Sequence, residues 1–344
     1  NSFFYEKTKI PHQIRFNFLN EQKVLNLPID WNSKKHNQLW RFNLHYFDWA
    51  REWLEIKYRE GHWPEESKYL KFLINDWVLN NRIGVGDGWH SYTISIRVRN
   101  WILLFSACPE LLNEKNLSSL WQQICWLNFN KEDYLGGNHW LENLITLIIG
   151  SLHFQGNRAN CIFQKSIKNL EDELKKQILP DGGHEERSAS YHLLLLDRLV
   201  ELGLIIENIK GERPKWLVDS IFKMMKWAKS IRLNNGGYPR FNDSPDICEP
   251  LDNIVEYAIS YLNKNLITRK GIKNNLSRIY DNSDLLEVCS EETNKKFSLI
   301  KLFDTGWVIA KVENKIELVF KVGDSCPKYL PAHAHSDLLT FELF

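Results

Sequence analysis

The sequence predicts an α+β protein of more than one domain, a long helical array followed by antiparallel strands. Three observations carry that prediction. Apolar residues recur at helical spacing from about residue 44 to 265, strict alternation takes over after about residue 295, and a polar stretch over 264–295 separates the two. Helices gathered in one part and strands in the other make two packed domains rather than an alternating α/β sheet. The expected domains are residues 1–290 and 291–344.

The helical part opens with Tyr46, Trp49, Trp53 and Ile56, an apolar stripe on one face. Further helical stretches fall at 67–80, 91–107, 117–127, 139–154, 163–177, 189–206, 215–231 and 250–262. The breaks carry turn chemistry: Gly84-Val85-Gly86-Asp87-Gly88, Gly136-Gly137, Pro180-Asp181-Gly182-Gly183 and Asn234-Asn235-Gly236-Gly237. Antiparallel helices on short glycine turns predict a solenoid or toroid of hairpins, and no strict repeat points to TPR or HEAT units. Three strands follow, starting at Phe297, Trp307 and Ile316, separated by Asp304-Thr305-Gly306 and Glu313-Asn314-Lys315.

A chain of 344 residues suits a large domain plus part of another. With 14 Trp, 12 Tyr and 18 Phe and no low-complexity tract, it does not read as disordered. A net charge of +1 supplies no broad basic field, which excludes nucleic acid and membrane surfaces as partners of that kind; an acidic partner must meet a local cluster. No apolar run approaches the roughly 18 residues of a membrane span. The six cysteines lack C-x-x-C spacing and are expected to be buried free thiols. The chain opens on Asn1 and ends at Phe344 inside a strand-like run, so it is expected to be a fragment, compatible with a signal peptide removed upstream.

Three segments concentrate chemistry. In Gly136-Gly137-Asn138-His139-Trp140-Leu141-Glu142-Asn143, two glycines lead into a helix whose mouth attracts anions, and Asn138, His139 and Glu142 can converge on one edge. The plain alternative is a capping Asn and a half-buried His. In Leu179 to His192, a tight turn precedes a helix on which His184, Ser188 and Tyr191 share a face, with Glu186 and Arg187 as a charge network behind them. The alternative there is an amphipathic helix with a core Tyr. In Leu330 to Asp337, alternation puts His333, His335 and Asp337 on one strand face, a spacing that suits a metal but signals it weakly. Arg240 and Asp243 lie on a further turn.

The strings GGNHWLEN, LPDGGHEERSASYH and LPAHAHSDLLTFEL, in that order, resemble the signature blocks of the heparinase II/III family. WRFNLHYFDW and GWHSYTISIRVRNWI resemble its N-terminal helical region, so the likeness runs from about Trp40 to the end. It implies an incomplete (α/α) toroid followed by an antiparallel β-sandwich of which this chain holds the beginning. It implies a polysaccharide lyase that cleaves a uronic-acid glycan by β-elimination, in a periplasmic or secreted setting. By the same matching, Asn138 neutralises the sugar carboxylate, Tyr191 is the acid or both acid and base, His139 is the base in the other stereochemical case, and His333 approaches the carboxylate. His335 matches a ligand of one structural divalent metal, zinc or calcium. Glu142, His184, Arg187, Arg240 and Trp140 are candidates for substrate contact, and Trp40, Trp89 and Trp101 for a sugar-stacking cleft, although core packing accounts for the tryptophans equally well. A glycoside hydrolase on a helical toroid, with Glu142 and Glu186 or Asp243 as its carboxylates, and a glycan-binding or assembly protein without catalysis are the other readings.

Overall fold

The structure, a computed structural model, describes residues 3–4, 12–60, 67–245, 247, 253–263, 297–312, 316–331 and 339–344. These form two compact units. One holds the described residues of Asn1–Asp133 and Glu142–Ile167, the other those of Tyr134–Leu141, Lys168–Arg269 and Tyr280–Phe344. The expected domain boundary at 290/291 lies outside the described residues.

The first unit begins with an antiparallel sheet of β1 (Phe3–Phe4), β2 (Gln13–Phe18) and β3 (Glu21–Asn26) that sequence reasoning did not anticipate. The signal was present: β2 alternates exposed and buried residues, and Leu19 and Asn20, both at positive φ, make the two-residue hairpin turn. Phe16 and Phe18 face Trp49 and Trp40 at ring separations of 5.2 and 5.0 Å. Helix α1 (Gln38–Tyr46) is capped by Asn37, whose carboxamide oxygen accepts from the Trp40 amide at 2.7 Å. It stops at Phe47, in the left-handed region, before α2 (Asp48–Glu60), so the expected stripe from Tyr46 to Ile56 is divided between two helices.

The helices α3 (Ser67–Asn80), α4 (Ser91–Ala107) and α5 (Glu114–Phe129) close this core around a buried cation. The Arg97 guanidinium stacks 3.9 Å from the Trp77 ring and donates to Gly88 O (2.7 Å), His45 O (3.3 Å) and Gln123 Oε1 (2.8 Å). Cation–π contact and charge-assisted hydrogen bonds offset its desolvation. Trp77 Nε1 donates to His45 Nδ1 at 2.9 Å, which leaves the proton of this fully buried ring on Nε2. Trp40, Trp89 and Trp101 are core residues, not a cleft lining.

In the second unit, α8 (Ala189–Lys210), α9 (Lys215–Ile231) and α10 (Ile254–Leu262) pack on one another. Their companion is an antiparallel sheet in the order β4 (Phe297–Leu302), β5 (Trp307–Val312), β6 (Ile316–Lys321), β7 (Phe341–Leu343). The Leu179–Gly183 turn ties the two layers. Asp181 accepts from the Thr305 amide (2.7 Å) and hydroxyl (2.8 Å), and Trp227 Nε1 donates to the same hydroxyl at 2.9 Å. Gly182, at φ +94°, runs so close to Lys223 O that a Cβ would lie 2.4 Å from it, so no other residue fits. Two further helices, α6 (Gly137–Leu152) and α7 (Asn157–Gln177), each contribute residues to both units. Cys108, Cys125, Cys161 and Cys326 are free thiols, and Cys161 is exposed rather than buried as expected.

Burial, and then the charge of Arg97, lowers the His45 pKa to about 3, and burial lowers that of His192 to about 4. Unfolding restores both to about 6.5, so above that pH neither state binds the proton and stability is full. As pH falls below 6.5, the unfolded chain takes protons that the folded chain refuses; the loss continues to about pH 4 for His192 and about pH 3 for His45. The expected result is a melting temperature that drops between about pH 7 and pH 5; a flat profile in calorimetry would contradict it.

Candidate active site

The site residues gather at the mouths of two helices in the second unit. Helix α6 starts on Gly136 and Gly137, both left-handed, at φ +68° and +56°. A Cβ on Gly137 would lie 2.4 Å from Leu330 Cδ2 and 2.5 Å from Glu186 Oε1. The glycines thus let two side chains close on the first turn, where amide N–H groups have no intrahelical acceptor. Glu186 Oε1 accepts the Asn138 amide at 2.8 Å. The helix mouth therefore receives an anion from the protein itself. Sequence reasoning offered that position to a substrate carboxylate and set Glu186 behind the site; the structure puts the Glu186 carboxylate, 1% exposed, in front. Asn138 lies inside the first turn, not at the N-cap, and both it and His139 are half-buried.

Glu142 lies one turn further along the helix. It is buried and pairs with the buried Arg99 at 3.7 Å, and Trp140 is a core residue. The next residue, Asn143, secures the turn before the helix: its Oδ1 accepts the Glu132 amide at 2.8 Å, and its Nδ2 donates to Ser95 Oγ and Glu132 Oε2.

The second mouth belongs to α8, which begins at Ala189, where the helical spacing places it, and not directly after the Pro180–Gly183 turn. His184 is consequently off the helix, in an isolated bridge with Ile178, and does not share a face with Tyr191. At 1% exposure its ring meets Gln177 Oε1 at 3.2 Å, and its amide donates to His192 Nδ1 at 3.2 Å, so it braces the turn from inside. Arg187 occupies the left-handed region at φ +55° and directs its guanidinium to Asp304 O (3.3 Å) and Asp324 (3.7 Å). The first turn of α8 is capped from another loop: Ser244 Oγ accepts the Ser190 amide at 3.0 Å.

Tyr191, in that first turn, is half-buried. Burial raises its hydroxyl pKa, and the charges of Asp243 and Glu186 push it further. Asp243 and Asn242 are both left-handed, at φ +55° and +53°, a conformation Asn and Asp tolerate best after Gly. Asn242 Nδ2 donates to Glu186 O at 3.0 Å and to Ser325 O, while its Oδ1 accepts Lys321 Nζ. Lys321, fully buried at the end of β6, also donates to Ser325 O at 3.3 Å. Arg240 is exposed, and its amide donates to Glu342 Oε1 at 2.9 Å.

Tyr329 is 59% exposed; its hydroxyl donates to Glu185, and its ring would lie 2.9 Å from a Cβ on Gly136. Burial raises the Glu185 carboxyl pKa against the hydrogen bond from Tyr329. His333 and His335 lie outside the described residues. Among the described residues no three His, Cys, Asp or Glu side chains converge as a metal site would require, and no helix is long and apolar enough to cross a membrane. Asn138 and His139 stand at the mouth of α6 and Tyr191 at that of α8, and Glu186 is bonded to the Asn138 amide. Sequence reasoning missed Asn242, Ser244, Lys321 and Tyr329. The Asn242-Asp243 pair was the one readable signal, as a site of left-handed backbone.

A helical region leading into antiparallel strands is an architecture shared with known proteins. The chain belongs to the heparinase II/III family: residues 7–267 match its "Heparinase II/III N-terminus" and residues 294–344 its "Heparinase II/III-like, C-terminal" part. A heparin-sulfate lyase of Pedobacter heparinus is 25% identical over 228 residues, 61% of this chain and 33% of that protein. The crystal structure of heparinase III matches 92% of this chain and 51% of its own, with a TM-score of 0.71 and 16% identity. Heparan sulfate lyase from Pedobacter heparinus matches 97% of this chain and 52% of its own, with a TM-score of 0.62 and 20% identity. The chain thus spans about half the length of these structures and a third of the curated relative. The fold is the expected one, an α-helical toroid domain followed by antiparallel β-strands.

Proposed function

We propose that this chain is the larger part of the catalytic region of a polysaccharide lyase that cleaves a uronate-containing glycosaminoglycan by β-elimination, outside the cytoplasm. The observation that carries the reading is the Glu186 carboxylate, which accepts the Asn138 amide and lies within electrostatic reach of Tyr191, in a chain of the heparinase II/III family. The relatives named for heparin and heparan sulfate support a sulfated glycosaminoglycan as substrate.

Elimination removes the C5 proton, forms the C4–C5 double bond and expels the C4 oxygen, which takes up a proton. The C5 proton is weakly acidic while the adjoining carboxylate carries its charge. The Asn138 carboxamide, half-buried beside a helix mouth, donates to the carboxylate as the enolate develops. Tyr191 is the acid: a hydroxyl with a raised pKa is protonated at neutral pH and ready to give its proton to the departing oxygen. The charges that shift it are carboxylates, which oppose its use as a base, and this favours His139 for the C5 proton. His333 is kept, by the family likeness, as the group approaching the carboxylate. His335 is proposed as one ligand of a structural zinc or calcium ion completed elsewhere in the protein. The hydrolase reading has less support, because Glu142 is already paired with Arg99 and Glu186 already holds a backbone amide.

The full-length protein, incubated with heparan sulfate, heparin and alginate, should release products with the ultraviolet absorbance of a conjugated unsaturated uronate. Saturated products would make it a hydrolase, and binding without products an assembly protein. Elemental analysis of the same preparation should find about one divalent ion per chain; none would remove the metal assignment.

A further inference from the structure

We infer that Glu186 is a positioning residue for Asn138, anchored from the sheet through Asn242 and Lys321. The inference rests on the role proposed for Asn138 and adds the device that holds it. Glu186 Oε1 takes the Asn138 amide at 2.8 Å, one residue after a glycine that leaves room for this carboxylate and for little else. The Glu186 carbonyl is held in turn by Asn242 Nδ2 at 3.0 Å, and Asn242 Oδ1 receives the buried ammonium of Lys321, which also donates to Ser325 O.

The first-turn amides of α6 have no intrahelical acceptor, so the carboxylate is the group that sets where Asn138 sits. A buried carboxylate is itself costly unless paired, and the helix N-terminus supplies partial positive charge. Lys321 donates to the carboxamide of a residue at φ +53°, keeping Asn242 Nδ2 turned to Glu186. The chain Lys321–Asn242–Glu186–Asn138 therefore runs from the end of β6 to the first turn of α6.

The experiment compares Glu186→Ala and Glu186→Gln with the parent, after thermal melts establish that each is folded. Hydrogen exchange of the peptide covering 137–141 reads the contact, and kcat and KM on heparan sulfate read its consequence. Glu186→Ala should expose about one fast-exchanging amide and lower kcat by about 10²-fold with KM little changed, since a small misplacement of a reacting group costs on that order. Glu186→Gln keeps an acceptor oxygen and should retain both protection and most of kcat. If Glu186→Ala does not fold, the Gln variant decides alone: a folded Gln variant with full amide protection and a collapsed kcat would show that the charge itself is required, overturning the positioning role. Unchanged exchange, or unchanged kcat, in a folded Glu186→Ala protein would overturn it as well. If the parent yields no unsaturated product, the lyase reading fails, while the exchange comparison still judges the Glu186–Asn138 contact.

Discussion

Tyr191→Phe is expected to lower turnover by about 10²–10⁴-fold, the usual worth of a positioned acid, while the protein stays folded. The phenyl ring fills the same half-buried space in the first turn of α8, and the cap that holds this turn, Ser244 on the Ser190 amide, does not involve the hydroxyl. Because burial, and then the charges of Asp243 and Glu186, hold the hydroxyl protonated, the loss should fall on kcat and persist across neutral pH. His139→Ala is the companion measurement. With Tyr191 as acid alone, the base is a separate group, and the two variants should lose comparable activity. A His139→Ala protein at near-parent rate would return both proton transfers to Tyr191, and a folded, fully active Tyr191→Phe protein would remove the mechanism.

Asn138→Ala is expected to lower kcat by about 10²–10³-fold with a smaller change in KM, the pattern of a donor whose partner becomes more basic in the transition state. The effect separates cleanly from stability, because the contact that anchors this residue uses its backbone amide, which alanine keeps. Alanine is also a better helix former than asparagine, so α6 should not weaken. Asn138→Asp supplies the sharper contrast: a carboxylate beside a substrate carboxylate repels it and donates nothing, so KM should rise as kcat falls. An Asn138→Ala enzyme within a few-fold of the parent kcat would show that the carboxylate is neutralised by another group.

Much of the helical half was legible because its signals are local. Apolar spacing located α3, α4 and α9 to the residue, and the strands from Phe297, Trp307 and Ile316 followed from alternation. The errors fell at element starts. Spacing also placed the start of α8 at Ala189; the error lay in running that helix back through His184, where Leu179–Gly183 and the Ile178–His184 bridge consume the segment and contacts from Asp181 and Ser244 hold it. The N-terminal hairpin escaped notice although Gln13–Phe18 alternates, since its turn, Leu19-Asn20, carries no glycine.

By itself the sequence determined the family and the order of the main helices and of the strands from Phe297 on, since motif strings and periodicity are properties of neighbouring residues. Direction was decided only by the tertiary structure. Glu142 and Glu186 are each one turn or one loop from a candidate catalytic residue, and nothing local distinguishes them. The fold turns Glu142 onto Arg99 and Glu186 onto the Asn138 amide, because a buried carboxylate settles where a cation or unpaired N–H groups can replace its water.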